Sequence, residues 1–144
     1  MKGTDVLASL GIASLLGALG CGLSGSPSDG PNGAVYDAWR SGRSHTQVTA
    51  SGSVVRVLGL SHGPSGAHEG FLLHLRGSAG RGLTVRVEDN VDVTGPLPLT
   101  AGADVEVRGE YIYDALGGII HYTHLDPRGR HAAGYVRIGD KVYQ

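Results

Sequence analysis

The clearest alternation of apolar and polar residues is Leu83-Thr84-Val85-Arg86-Val87-Glu88. Side chains on a strand switch faces at every residue, so this segment predicts a strand with one buried and one wet face. Residues 47–60 place Val48, Ala50, Val54, Val55 and Val57 in a long first strand, with Gly52 as a bulge or bend. The stretch SHGPSGAHEG that follows reads as a polar, glycine-rich loop. Residues 71–75 form a short apolar strand. Val91-Asp92-Val93 continues or follows the alternating strand, and Gly95-Pro96-Leu97-Pro98 ends it. Residues 103–113 predict another strand, interrupted at Gly109. Gly117-Gly118 then leads into a strand over residues 119–124. Tyr135-Val136-Arg137-Ile138 and Lys141-Val142-Tyr143 flank Gly139-Asp140, the spacing of a tight hairpin. Residues 34–40 are the one helical segment, with Asn32 as cap, Gly42 past the end and Trp39 as the anchor into the core.

Short strands, frequent glycines and a long first strand together predict an all-β fold. The expected architecture is a small five-stranded OB-like barrel with one short N-terminal helix and a C-terminal hairpin. Another small β-barrel or a sandwich is the alternative.

The N-terminus adds a location. Residues 6–19 are apolar or small throughout. That run is shorter than the about 20 residues a membrane-spanning helix needs, and it suits the core of a secretory signal. Ala18-Leu19-Gly20-Cys21 is similar to a lipobox, and Cys21 is the chain's one cysteine. The expected organisation is a lipoprotein-type signal peptide over residues 1–20, a lipidated Cys21 with a Gly/Ser/Pro tether over 21–33, and a folded domain over 34–144. The protein is then expected in the bacterial cell envelope, lipid-anchored and facing the periplasm or exterior. Gly22 after the cysteine favours the outer membrane. With no second cysteine the domain has no disulfide to rely on.

Charge narrows the functional classes. Twelve basic and thirteen acidic residues give a net charge of −1, so a general electrostatic grip on nucleic acid is not indicated. Arg128, Arg130, Arg137 and Lys141 make a local basic excess, read first as a solvated edge. No nucleophile-elbow, phosphate-loop or dinucleotide signature is present.

The candidate chemistry lies in HYTHLDPRGRH, residues 121–131. Asp126-Pro127-Arg128-Gly129 carries Asp at the first position, Pro at the second and Gly at the fourth, a type I turn signal. Folded back as a ribbon, the turn sets His124 opposite His131 and Leu125 opposite Arg130, with Asp126 on the His124 side. His124, Asp126 and His131 are therefore candidate metal ligands, with zinc the leading choice of divalent ion. The competing reading is an aspartate that caps its own turn beside ordinary histidines. His121 falls on the other face. His68 closes the glycine-rich loop and joins the site if that loop rims the barrel mouth. His74 is expected to be partly buried and satisfied, and His45 and His62 to be solvated.

The pieces GSVVRVL, AHEGFLLHL, GEYIYDALGGIIHYTHLDPRGRH and GYVRIGDKVYQ resemble a family of bacterial envelope proteins known as domain of unknown function 3465. The resemblance spans residues 48–143. Tyr122 stands where members typically carry Trp, and Asp89-Asn90 where they often carry His-Asn. The resemblance implies the extent of the fold and the envelope location, and groups His68, His121, His124 and His131 in one site. It implies no activity.

Three functions compete. A binding module would use Tyr111, Tyr113 and Tyr122 as stacking surfaces and Arg128 and Arg130 as cationic donors for a small molecule, a glycan or an oligonucleotide. A metal-dependent hydrolase of phosphodiesters would use His124, Asp126 and His131 as ligands, His68 or His121 as general base, and Arg128 or Arg130 to stabilise anionic charge. A structural lipoprotein would bind neither metal nor small ligand, only a protein partner.

Overall fold

The computed structural model describes residues 27–77 and 82–144. The expected signal segment, Cys21 and most of the tether lie outside the described residues. A 3-10 stretch, Pro27–Asn32, runs into helix α1, Gly33–Arg40. Strands β1 (Thr46–Gly63), β2 (Gly66–Leu75) and β3 (Leu83–Asn90) follow, then a short helix α2 (Val91–Thr94). The chain ends with β4 (Asp104–Ile112), β5 (Ile119–His121), β6 (Tyr135–Ile138) and β7 (Lys141–Tyr143).

The strands lie in the order β1-β2-β3-β5-β4-β6-β7, and β1 also pairs with β4. That extra pairing closes β1, β2, β3, β5 and β4 into a ring, the barrel-like arrangement the pattern predicted. β6 pairs with β4 over residues 105–108, and β7 completes the C-terminal hairpin. β3 and β5 run parallel, and the other pairs are antiparallel.

The inward residues of each strand make the core. Phe71, Leu73 and Leu75 of β2 meet Val85 and Val87 of β3, Val107 and Tyr111 of β4, Ile120 of β5 and Val136 of β6. Helix α1 packs on the ring where β2 ends and β3 begins. Its Tyr36 hydroxyl donates to the Leu75 carbonyl and accepts from the Leu83 amide, both at 3.0 Å.

Several expectations need correction. Asn32 makes no side-chain cap on α1. Its amide instead pairs with the backbone of Ser51, accepting from N at 2.8 Å and donating to O at 3.0 Å. The helix anchor is Tyr36, with Trp39 only partly buried. The strand irregularities fall between Val54 and Arg56 and between Val57 and Gly59, beyond Gly52. The polar stretch 61–70 is no loop: β1 and β2 carry their ladder out to Gly63 opposite Gly66, so His62 sits on a strand. Val91–Thr94 is a helical turn, because the Asn90 side chain accepts from the Asp92 amide at 3.1 Å and diverts the backbone.

Tyr111 closes the β4–β5 turn. Its buried hydroxyl donates to the Gly117 carbonyl at 2.9 Å, and burial pushes its pKa up to about 12. Gly118 has φ +87°, and a Cβ there would lie 2.3 Å from that hydroxyl oxygen. Gly118→Ala should therefore cost about 3 kcal/mol, overpacking and left-handed strain together. Gly129→Ala, with φ +65° but open space around it, should cost about 1 kcal/mol. Urea unfolding of both variants tests this, and equal losses would refute the packing role.

Candidate functional site

Strand β5 stops at His121 because Tyr122 adopts φ +55°, a left-handed conformation rare for a bulky residue. The chain then makes a loop through residue 133 instead of the expected ribbon. The type I turn is present, with the Gly129 amide donating to the Asp126 carbonyl at 2.9 Å. The loop is closed at its base, where the Gly134 amide donates to the His124 carbonyl at 3.0 Å.

The Asp126 carboxylate is spent within its own turn. It accepts from the amides of Arg128 (3.0 Å) and Arg130 (2.8 Å) and from the Arg130 guanidinium (3.0 Å). The Arg130 hydrogen bond, helped by the two amides, holds its carboxyl well below the usual range. Its nearer oxygen lies 3.9 Å from His131 Nε2. The capping reading of this aspartate is thus the one the geometry follows. Among the described residues no three His, Cys, Asp or Glu side chains are gathered so as to hold a metal ion. The expected His124, Asp126 and His131 set is not assembled as a three-donor cluster.

The histidines do converge. His68, His121, His124 and His131 line one cleft of about 520 Å³, with Pro64, Ser65, Glu88, Asn90, Tyr122 and Arg130. The tip of the β1–β2 hairpin forms one wall and the 122–133 loop the other. The floor is the outer face of β3 and β5. The hairpin tip is tied down there: Asn90 donates to the Ser65 carbonyl at 3.1 Å, and the Ala67 amide donates to Asp92 at 2.8 Å.

The rings are stacked in an ordered way. Tyr122 lies between His121, at 4.0 Å between centroids, and His131, at 4.3 Å. His124 meets His131 edge-on at 4.9 Å. Both faces of the Tyr122 ring are therefore covered, which corrects its expected use as a stacking surface. Tyr111 is wholly buried and presents no face to a ligand. Tyr113 and Arg128 do not line the cleft. Of the five expected ligand-contact residues, Tyr122 and Arg130 alone reach it.

The protonation pattern is fixed by neighbours. His68 Nδ1 lies 3.2 Å from the Gly66 carbonyl, His124 Nδ1 2.7 Å from that of Leu125, and His131 Nδ1 2.9 Å from that of Ala132. A carbonyl only accepts, so each Nδ1 carries the proton and each neutral ring keeps its lone pair on Nε2. His121 differs, since its Nε2 faces Glu110 at 3.4 Å. Burial alone would raise the pKa of Glu110, but hydrogen bonds with His45 and His121 outweigh it and keep it low.

Three residues named in the sequence but given no site role there matter here. Glu88 and Asn90 sit on the polar face of the alternating strand, and their spacing from Arg86 signals that placement. Asp89 is wholly buried. Thr123 and Thr94 hydroxyls donate to its two carboxylate oxygens at 2.6 and 2.5 Å. Burial pushes the Asp89 carboxyl up, while both threonines and the nearby His124 oppose the shift. Glu69, opposite Asp89 on β2, adds to the rise. A second cavity, about 560 Å³, is lined by Asn32, Ser51, Arg76, Glu106 and Arg137 among others and contains no histidine. Its Arg137 is already paired with Glu106 at 3.3 Å.

Residues 19–144 match the family model described as "Protein of unknown function (DUF3465)", and the chain belongs to that family. No curated protein matches the chain.

Asp89 makes a pH-dependent contribution with a defined sign. Its folded pKa is raised, so the folded state holds the proton more tightly than the unfolded chain. Its contribution to stability is therefore full below the unfolded value and is lost as pH rises through the folded one. Asp89→Asn should remove this loss. The urea midpoint of the native protein, relative to that of the variant, should fall as pH is raised from about 4. Parallel profiles would show that the carboxyl is not strained by burial.

Proposed function

We propose that this protein is a ligand-binding module of the bacterial cell envelope, lipid-anchored through Cys21, whose ligand is held by imidazole nitrogens in the His68–His131 cleft. One observation carries the reading. Three histidines from two separate elements line the same cleft, and each has its Nδ1 committed to a backbone carbonyl. The cleft therefore offers a set of Nε2 lone pairs of fixed tautomer, with the Arg130 guanidinium at its rim. Such a surface suits a small polar ligand that presents hydrogen-bond donors or positive charge.

The stacking version of the binding reading loses its platforms, because Tyr111 is buried and Tyr122 is covered on both faces. Among the described residues the phosphodiester hydrolase has no assembled ligand set to work from. The anchor rests on the signal-like run over residues 6–19 and the lone cysteine that follows it.

A library of small polar fragments, screened by two-dimensional NMR against the full-length chain carrying Cys21→Ser, tests the site. Fragments that bind should shift residues 64–68, 88–90 and 121–131, and His124→Ala should abolish those shifts. Binding confined to the Asn32–Arg137 cavity, or no binding, would overturn the assignment.

A further inference from the structure

We infer that the cleft binds an organic primary ammonium ion, with Glu88 as the counter-charge and Nε2 of His68, His124 and His131 as hydrogen-bond acceptors. The inference deepens the proposed binding function and rests on its cleft.

The polar atoms of the cleft are mostly acceptors. Nδ1 of His68, His124 and His131 each donates to a backbone carbonyl, so Nε2 of each neutral ring accepts. Arg130 is the cation in the lining, and two of its nitrogens already lie on Asp126, at 3.0 and 3.4 Å. Little is left there for an anion. An ammonium group has three N–H donors and no acceptor, the complement of such a surface.

Glu88 adds the charge. It lines the cleft from the outer face of β3, and its side chain is only 17% exposed. Across the β2–β3 ladder it stands opposite Gly70, one step along the same face from the His68–Asn90 pair. The carboxylate lies over that glycine, where a Cβ would be 3.3 Å from Oε1 and 3.4 Å from Oε2. Arg86 engages Oε1 alone, through Nε and a terminal nitrogen. Among the described residues Oε2 has no hydrogen-bond or ion-pair partner. A carboxylate accepts at both oxygens, so Glu88 keeps capacity for a second cation beside Arg86.

The lining favours a primary over a quaternary ammonium. A quaternary ammonium has no N–H and is recognised by open aromatic faces. Both faces of Tyr122 are covered, by His121 and His131. The cleft, about 520 Å³, has room for the organic part of the ligand.

The probe is n-butylammonium chloride, titrated at constant ionic strength into the full-length chain carrying Cys21→Ser and followed by two-dimensional NMR. The comparators are n-butanol, butyltrimethylammonium chloride and sodium phosphate. Butylammonium should give saturable shifts in residues 64–68, 88–90 and 121–131, and the comparators should not. Affinity should fall more than about tenfold in Glu88→Gln, the loss expected of one hydrogen bond to a charged group. Glu106→Gln, in the second cavity, should leave it unchanged. A pH series needs no variant. The charged groups around the cleft imidazoles are Glu88, Asp89, Glu110, Asp126 and Arg130. Lowering the pH from about 7.5 to about 5 should weaken binding, because a protonated imidazole loses its Nε2 lone pair and repels the cation. An anion site would do the opposite. Equal binding of the trimethyl or hydroxyl analogue, affinity indifferent to Glu88→Gln, tighter binding at low pH, or a preference for phosphate would each overturn the inference. Fragment binding in the cleft with butylammonium silent would refute the ammonium alone and leave the binding site standing. Silence of both would overturn the site as well.

Discussion

The pairing of β1 with strands on both of its sides is the constraint from which the rest of the molecule follows. Gly52 pairs with Leu75 of β2 and with Val105 of β4, and Ser53 with His74 and Asp104. At that point the strand belongs to two neighbours at once. The crossing is tight, since a Cβ on Gly52 would lie 2.2 Å from the His74 carbonyl oxygen. Once the ring is closed there, Val54, Phe71, Val107 and Tyr111 face a common interior. Within the ring the β2–β3 and β3–β5 pairings set His68, opposite Asn90, next to the histidine loop that follows β5. The site exists because two segments more than fifty residues apart in sequence are edges of the same ring.

The barrel-like fold was legible where a buried face imposed alternation. β3 and β4 bury every second residue, and the Gly139-Asp140 hairpin follows from its turn residues. The outer half of the β1–β2 hairpin was not legible, because it projects beyond the core. Its residues from Gly59 to Ser65 are exposed, so no hydrophobic rhythm marks them as strand. The turn at Val91–Thr94 was hidden by a short apolar pair whose conformation is set by the preceding Asn90. β5 ended early because Tyr122 takes a positive φ that no side-chain pattern announces. In the site, the meeting of His124 and His131 could be read from the turn, and Asp126 took the capping role that its turn position allowed. Tyr111 and Tyr113 share strand parity, yet β4 stops at Ile112. One tyrosine ends up buried and the other outside the cleft, a distinction that parity does not contain.

The electrostatics of the site are local. Arg130 is neutralised by Asp126, Arg86 by Glu88, and His45 and His121 share Glu110. The rim therefore holds few uncommitted charges, and what it offers a ligand is chiefly nitrogen lone pairs. Beneath it Asp89 is kept out of water at a cost that two hydroxyl donors reduce. That arrangement ties Thr123, one residue from His124, to the interior end of β3, and it fixes the root of the loop without using any group the cleft exposes.

The Asp89 arrangement also restricts how sequences of this fold can drift. Thr94 and Thr123 direct their hydroxyls at one carboxylate, so the three positions are not independent. Replacing Asp89 by an apolar residue would leave the buried Thr123 hydroxyl without its acceptor, whereas Thr94 also reaches the carbonyls of Asn90 and Gly95. Replacing either threonine would leave the carboxylate one hydroxyl donor. Change at residue 89 is therefore coupled most tightly to residue 123, whose hydroxyl donates to it. A lineage that places a different polar group at 89 must re-solve the hydrogen bonding of Thr123, and with it the take-off angle of the histidine loop.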